Sequence, residues 1–213
     1  MAATLTKSSA RKVRLPKAPS GEPAKSARDR IVESAGKLFY AQGSRAVGID
    51  TVIADSGVAK MSLYRNFRSK DELIGAWLAD VNEGYWQRFD RSIEPYSGNP
   101  REQLREVFRA LAERSSKPGY RGCPFLNTAL DYSESHHPGR KVSVKHKQTL
   151  AAKLLRLCKQ LGVADPQALS RQLVLLVNGA QATAGMLGPS TQHEIIRAAD
   201  ILIDSQLKKS AKK

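Results

Sequence analysis

The chain has 213 residues, with 35 Lys and Arg against 20 Asp and Glu, a formal charge of +15 that suits a polyanionic partner. Mean hydropathy is −0.42, and no run approaches the roughly 18 apolar residues of a membrane span, which argues against membrane attachment. Cys123 and Cys158 stand far apart, with no second thiol or paired histidine at ligand spacing. That excludes a disulfide framework and a zinc site, and a reducing cytoplasm is the expected compartment.

Residues 1–26 form an arm rich in Lys, Ala, Ser and Pro, carrying Lys7, Arg11, Lys12, Arg14, Lys17 and Lys25. No apolar segment follows these charges, so the arm does not read as a secretory signal. It has almost nothing to bury and is expected to be disordered. Two roles stay open for it: tracking phosphates or a minor groove, or serving as a solubilising tail.

A first helix is predicted from Ala27 to Gln42, capped by Ser26, ended by Gly43, with Ile31, Ala35, Leu38 and Phe39 on one face. Ile49, Val52 and Ile53 then repeat at helical spacing, and Gly57 follows where a left-handed C-terminal residue is needed. Val58 and Leu63 give the next short helix an inner side, while Lys60, Met61, Ser62, Tyr64 and Arg65 project outward. The pattern is two helices about a tight turn, with an outer face of hydrogen-bond donors suited to phosphates and base edges. Ser69 and Glu72 make a capping box opening a fourth helix, whose stripe of Ile74, Trp77, Leu78, Val81, Tyr85 and Phe89 runs about five turns. Some twenty residues span roughly 30 Å, so this helix reads as a lever between two domains.

Pro95, Ser97, Gly98 and Pro100 break the chain, and Asn99 with Glu102 caps a fifth helix carrying Leu104, Val107, Phe108 and Leu111. A short helix is predicted within Gly122–Tyr132, then a long one through Leu150, Leu154, Leu157, Cys158 and Leu161, closed by Gly162. Asp165 and Pro166 open the next, with Leu169, Leu173, Leu176, Val177, Ala180, Ala184 and Leu187 on one face. Thr191 and Glu194 form another capping box, opening a last helix through Leu207, before a Lys-rich tail. No strand pattern occurs. The predicted fold is all-α, about nine helices, divided into a basic arm (1–26), a helix-turn-helix domain (27–72), a larger helical domain (73–207) and a basic tail (208–213).

Residues 30–78 resemble the N-terminal DNA-binding domain of the TetR family of transcriptional regulators. The matching motifs are Ala35, Leu38, Phe39 and Gly43 of the first helix, then GVAKMSLYRNF and SKDEL. Gly48 stands where the family usually has Thr or Ser, and Ala59 where Ser is common, so both helix caps lose a side-chain acceptor. The resemblance implies DNA contacts at Thr51, Lys60, Met61, Ser62, Tyr64, Arg65, Asn66 and Lys70. Lys60 is assigned to a base edge; Tyr64 and Lys70 are assigned to phosphates.

It further implies a repressor that binds a palindromic operator as a homodimer through its last two helices and is released by a small-molecule effector. Phe108, Leu111, Cys123, Phe125, Leu126, Asn127, Leu150, Leu154, Asn178 and Gln181 are candidate walls of the effector site, and an ordinary core role stands beside that reading for each. No cofactor, catalytic residue or metal ligand is assigned. The alternatives are an enzyme or a metal- or redox-responsive sensor on the C-terminal domain. Cys123 with His136 or His137 would serve as a thiol–imidazole pair, and His136, His137 and His146 as metal ligands.

Overall fold

The computed structural model describes residues 25–187 and 191–210, and the basic arm before Lys25 and the end of the tail lie outside them. The described residues form nine α-helices and no strand: α1 (Ala27–Gln42), α2 (Ile49–Ser56), α3 (Lys60–Asn66), α4 (Lys70–Ile93), α5 (Pro100–Ser115), α6 (Pro124–Asp131), α7 (Pro138–Gln160), α8 (Pro166–Leu187) and α9 (Thr191–Ser210). A single 3-10 turn, Glu94–Tyr96, follows α4.

Helix ends follow local chemistry. The Ser26 hydroxyl accepts from the Asp29 N–H at 3.1 Å, and Asn99 accepts from the Glu102 N–H at 3.2 Å. Asp165 accepts from the Ala168 N–H at 2.8 Å and opens α8 ahead of Pro166. Gly57 ends α2 in the left-handed region, at φ +62°. Gly48 and Ala59 cap α2 and α3 without a side-chain hydrogen bond, as their side chains require. At α4, Ser69 accepts from the Glu72 N–H at 3.1 Å, but the Glu72 carboxylate reaches back to the N–H of Arg68, one residue earlier than a capping box predicts. The side chain of Thr191, the expected cap of α9, lies outside the described residues.

Two apolar cores organise the chain. The N-terminal core gathers Ile31, Ala35 and Phe39 of α1, Val52, Val58, Leu63 and Phe67 around the α2–α3 turn, and Leu73, Ile74, Trp77 and Leu78 of α4. Cys123 and Phe125, from the start of α6, complete it. The C-terminal core joins Phe89 and Ile93 of α4 to Leu104 and Phe108 of α5, Leu150, Leu154 and Leu157 of α7, Leu169, Leu173 and Val177 of α8, and Ile195 and Ile203 of α9. At 1.5 Å per residue, the 24 residues of α4 extend about 36 Å and belong to both cores. Leu187, predicted on the buried face of α8, is instead the last residue of the helix and 61% exposed.

His146 lies where the cores approach one another and is 1% exposed. Its ring stacks on Phe125 with centroids 3.7 Å apart, and its Nδ1 lies 2.9 Å from Asn82 Oδ1. That oxygen also accepts from Trp86 Nε1 at 2.8 Å, so Nδ1 must be the donor, and Nε2 is left as an unprotonated, buried, unpartnered atom. Burial, helped by Lys147 and Arg114, pushes the ring down to about 3. The unfolded chain therefore takes up this proton first as pH falls. The stabilisation is complete above about 6.5 and is lost between there and about 3, at up to about 1.4 kcal/mol per pH unit. Urea unfolding at pH 7.5 and 5.0 is expected to show about 1–2 kcal/mol of this loss in the wild type and not in His146→Gln. Equal losses in both proteins would place the acid sensitivity elsewhere.

Candidate functional site

The three N-terminal helices form a platform with one face of α3 left uncovered. Val58 and Leu63 face inward, at 7% and 1% exposure, while Met61 is 71% and Tyr64 46% exposed. Lys60, Arg65 and Thr51 are exposed beside them, and Ser62 and Asn66 are half-buried. An exposed methionine and phenol among cations, on a helix whose other side is packed, is a surface built to meet something. Three of the candidate side chains already have work within the protein. Lys60 forms an ion pair with Asp50 at 3.2 Å, a solvent-exposed pair worth at most about 1 kcal/mol and readily exchanged for a phosphate or base. The Asn66 amide donates to the Ser62 carbonyl at 2.7 Å and closes α3, leaving its oxygen and one N–H for an outside partner. Lys70, at the head of α4, donates to the Arg45 carbonyl at 3.1 Å, and burial holds its ammonium below the ordinary lysine value.

The C-terminal part holds a cavity of about 310 Å³ between α4, α5 and α8. Tyr85, Arg88, Phe89 and Ser92 line it from α4, Val107, Leu111, Glu113 and Arg114 from α5, and Val177 and Gln181 from α8. Burial pushes the Tyr85 phenol up to about 12, so it stays neutral and keeps its proton. Behind the wall, the Lys147 ammonium donates to Asn178 Oδ1 at 2.7 Å and to Gln181 Oε1 at 2.9 Å. It also lies beside the Cys123 thiol, and burial lowers its proton affinity. An ammonium can only donate, so Lys147 turns the Gln181 oxygen toward itself and leaves the Gln181 NH2 free of that contact. A second, more open cleft lies between Lys37 and Tyr40 of α1, Trp77 and Val81 of α4, and the loop around Tyr120, with Arg114 on its border as well.

Two ties join α1 and its following loop to α6 and the loop before it. Tyr40 donates to the Gly122 carbonyl at 3.1 Å and accepts from the Arg121 N–H at 2.9 Å. Arg45 donates to the Asp131 carbonyl and lies over the Tyr132 ring, 5.0 Å from its centroid.

Residues 31–77, α1 to the first turns of α4, match the family described as bacterial regulatory proteins of the tetR family. The structure superposes on that of a TetR-family transcriptional regulator from Streptomyces coelicolor with a TM-score of 0.80, at 31% identity over 84% of this chain and 95% of that one. The chain belongs to the TetR family. A second solved TetR-type regulator, from Streptomyces avermitilis, agrees at 30% identity and a TM-score of 0.69, covering 83% of this chain and 99% of that one. Among curated relatives, the HTH-type transcriptional repressor KstR2 of Mycobacterium tuberculosis is 31% identical over 88 residues. That match spans 41% of this chain and 44% of the repressor's length, so it covers less than half of that relative.

In this TetR-family chain, α2 and α3 are the helix-turn-helix, and all eight sequence-predicted contact residues lie on it or at the head of α4. The predicted effector residues are not gathered in one place. Only Leu111 and Gln181 line the 310 Å³ cavity. Phe108, Leu150 and Leu154 are wholly buried in the C-terminal core, and Cys123 and Phe125 in the N-terminal one, so these five fill space rather than bound it. Leu126 is half-buried, Asn127 is exposed with its amide on the Arg121 carbonyl, and Asn178 faces Lys147. Sequence reasoning missed Tyr40, Arg88, Arg114 and Tyr85 as anything but surface or stripe. The signal available was that Arg88 follows Tyr85, and Arg114 follows Leu111, by one helical step of three.

His137 precedes α7 and is put to structural use there. It is 4% exposed, caps α7 by accepting from the Arg140 N–H at 3.3 Å, and stacks on Tyr132. Its Nε2 lies 3.4 Å from an Asp71 carboxylate oxygen but makes no hydrogen bond. Among the described residues no group of three His, Cys, Asp or Glu side chains gathers as a metal site, and burial pushes the Cys158 thiol up to about 11. No described helix is long and apolar enough to cross a membrane.

Proposed function

We propose that the protein represses transcription by binding a palindromic operator as a homodimer, and that a small molecule in the C-terminal cavity releases it. The observation that carries this reading is the uncovered face of α3, with Lys60, Met61, Tyr64 and Arg65 standing out from a packed platform. One seven-residue helix reads few base pairs, so a second copy is needed for specificity. Leu175, Met186 and Leu187 of α8 and Ile201 of α9 are each at least 60% exposed, an apolar surface that pairing through these two helices would cover. In this reading residues 27–72 recognise DNA, residues 73–207 bind effector and partner copy, and the basic ends add electrostatic attraction. A regulator, rather than an enzyme or a metal sensor, is what the reading requires.

Effector release has a route through the fold. Gln181 lines the cavity, and its backbone carbonyl abuts Gly122, whose own carbonyl takes the Tyr40 hydroxyl of α1. A ligand that shifts α8 against α5 thereby shifts what holds the DNA-binding helices, with coupling of the usual order, about 1–3 kcal/mol. Sequencing of genomic fragments retained by the purified protein supplies the operator. Lys60→Ala is then expected to cost about 1–3 kcal/mol on that operator and to relax its sequence preference, whereas Lys70→Ala weakens operator and scrambled duplex alike. Equal losses on both duplexes for both variants would remove Lys60 from base recognition, and failure to retain any fragment would remove the regulator reading itself.

A further inference from the structure

We propose that the cavity between α4, α5 and α8 is built for an amphipathic organic anion: an apolar body of one or two rings, or a medium-length chain, ending in a carboxylate. The proposal rests on reading that cavity as the effector site and names the class of effector.

Helix α5 carries four arginines. Three of the four have acids: Arg101 meets Asp204 at 2.9 Å, Arg105 meets Asp200 at 3.2 Å, and Arg109 meets Glu102 at 3.3 Å. Those pairs tie α5 to α9 or run along α5 itself. Arg114, on the cavity wall, is the one arginine of this helix with no carboxylate partner among the described residues, and its Nε is buried without a hydrogen bond. Its guanidinium is held over the Tyr85 ring, 5.4 Å from the centroid, with the Tyr120 hydroxyl beside it. A planar, permanently charged donor fixed against a ring and lacking a counter-ion is a preformed half of a carboxylate site.

The other polar groups agree in sign. Arg88 adds a second guanidinium from α4, and Gln181, its oxygen turned toward Lys147, adds an NH2 donor. Glu113, the one carboxylate on the wall, is exposed and paired with Lys117 at 3.4 Å. Between these groups the wall is Phe89, Val107, Leu111 and Val177, which suits an apolar body and excludes a small inorganic anion as a good fit. A volume of about 310 Å³ lies at the small end of ligand cavities.

The test measures binding to the full-length protein without DNA, by calorimetry at low salt, for two matched sets: indole-3-acetate, tryptophol and tryptamine; octanoate, octanol and octylamine. In at least one set the acid is expected to bind about tenfold or more tightly than its alcohol, with the amine weakest. Arg114→Gln is expected to abolish that preference while leaving alcohol binding within about twofold, and Arg114→Lys to restore part of it. Should Arg114→Gln fail to fold, Arg88→Gln, at an exposed position, is expected to reduce the same preference. Alcohols or amines that equal the acids in both sets overturn the proposal, as does an acid preference that survives in a folded Arg114→Gln. A titration of operator binding separates this proposal from the effector reading. Acids that bind but leave DNA affinity unchanged keep the anion site and remove the effector role. Release by an amine and not by an acid keeps the effector role and removes the anion.

Discussion

Phe125→Ala is expected to cost about 3–5 kcal/mol, the range for deleting a buried phenyl ring from a close-packed core. Phe125 is 2% exposed, lies in the N-terminal core although it belongs to α6, and stacks on His146. The cavity left behind opens beside the His146 ring, at the edge of the N-terminal core. The two tryptophans make the effect separable, because Trp77 is buried in the N-terminal core and Trp86 packs against the C-terminal one. In urea, with Trp77→Phe and Trp86→Phe backgrounds, the intact protein is expected to lose both signals together. Phe125→Ala is expected to lose the Trp77 signal first. A loss of stability below about 1 kcal/mol, or transitions that stay coincident, would show that α6 is a passenger on the DNA-binding helices.

Gly122→Ala is the second large effect, at about 2–4 kcal/mol. Gly122 has φ +83°, a conformation that disfavours a side chain, and a Cβ there would lie 2.8 Å from the backbone carbonyl oxygen of Gln181. That obstacle is backbone and cannot rotate away. Gly98 provides the control, since it has the same φ of +83° and open space around it. Gly98→Ala carries only the conformational cost, roughly 1–2 kcal/mol, and the difference between the two variants measures the contact with α8. Matching losses would mean the loop moves aside freely. The Gly122 carbonyl is also the acceptor for Tyr40, so the variant is expected to loosen α1 from the body of the protein.

The helices themselves were legible because their ends carry their own chemistry. Ser26, Ser69, Asn99 and Asp165 all cap as expected, and the stripe from Ile74 to Phe89 gives one continuous helix. The outward side of α3 was legible for the same reason: Val58 and Leu63 fix which side is buried, and the rest follows from a period of 3.6. The cavity was not. Sequence reading looked for its walls among the most apolar positions, and those positions, Phe108, Leu150 and Leu154, are the ones the core consumes. A cavity is bounded where stripes end, by residues such as Arg114 and Gln181 that are neither wholly inside nor outside. The partnership of α6 with the N-terminal helices was equally hidden. Eight residues between a Gly-rich loop and a turn carry no periodicity that says which of two cores they will join.

The membership of α4 in both cores, with Phe125 and Cys123 returning to the first of them, bears on how such proteins diversify. A module that borrows wall material from its neighbour cannot drift alone: a change of volume at Trp77 or Leu78 has to be answered at positions some fifty residues further along the chain. The two halves are thus bound to one another in volume, and a graft of one onto a foreign counterpart must carry the α6 seam with it.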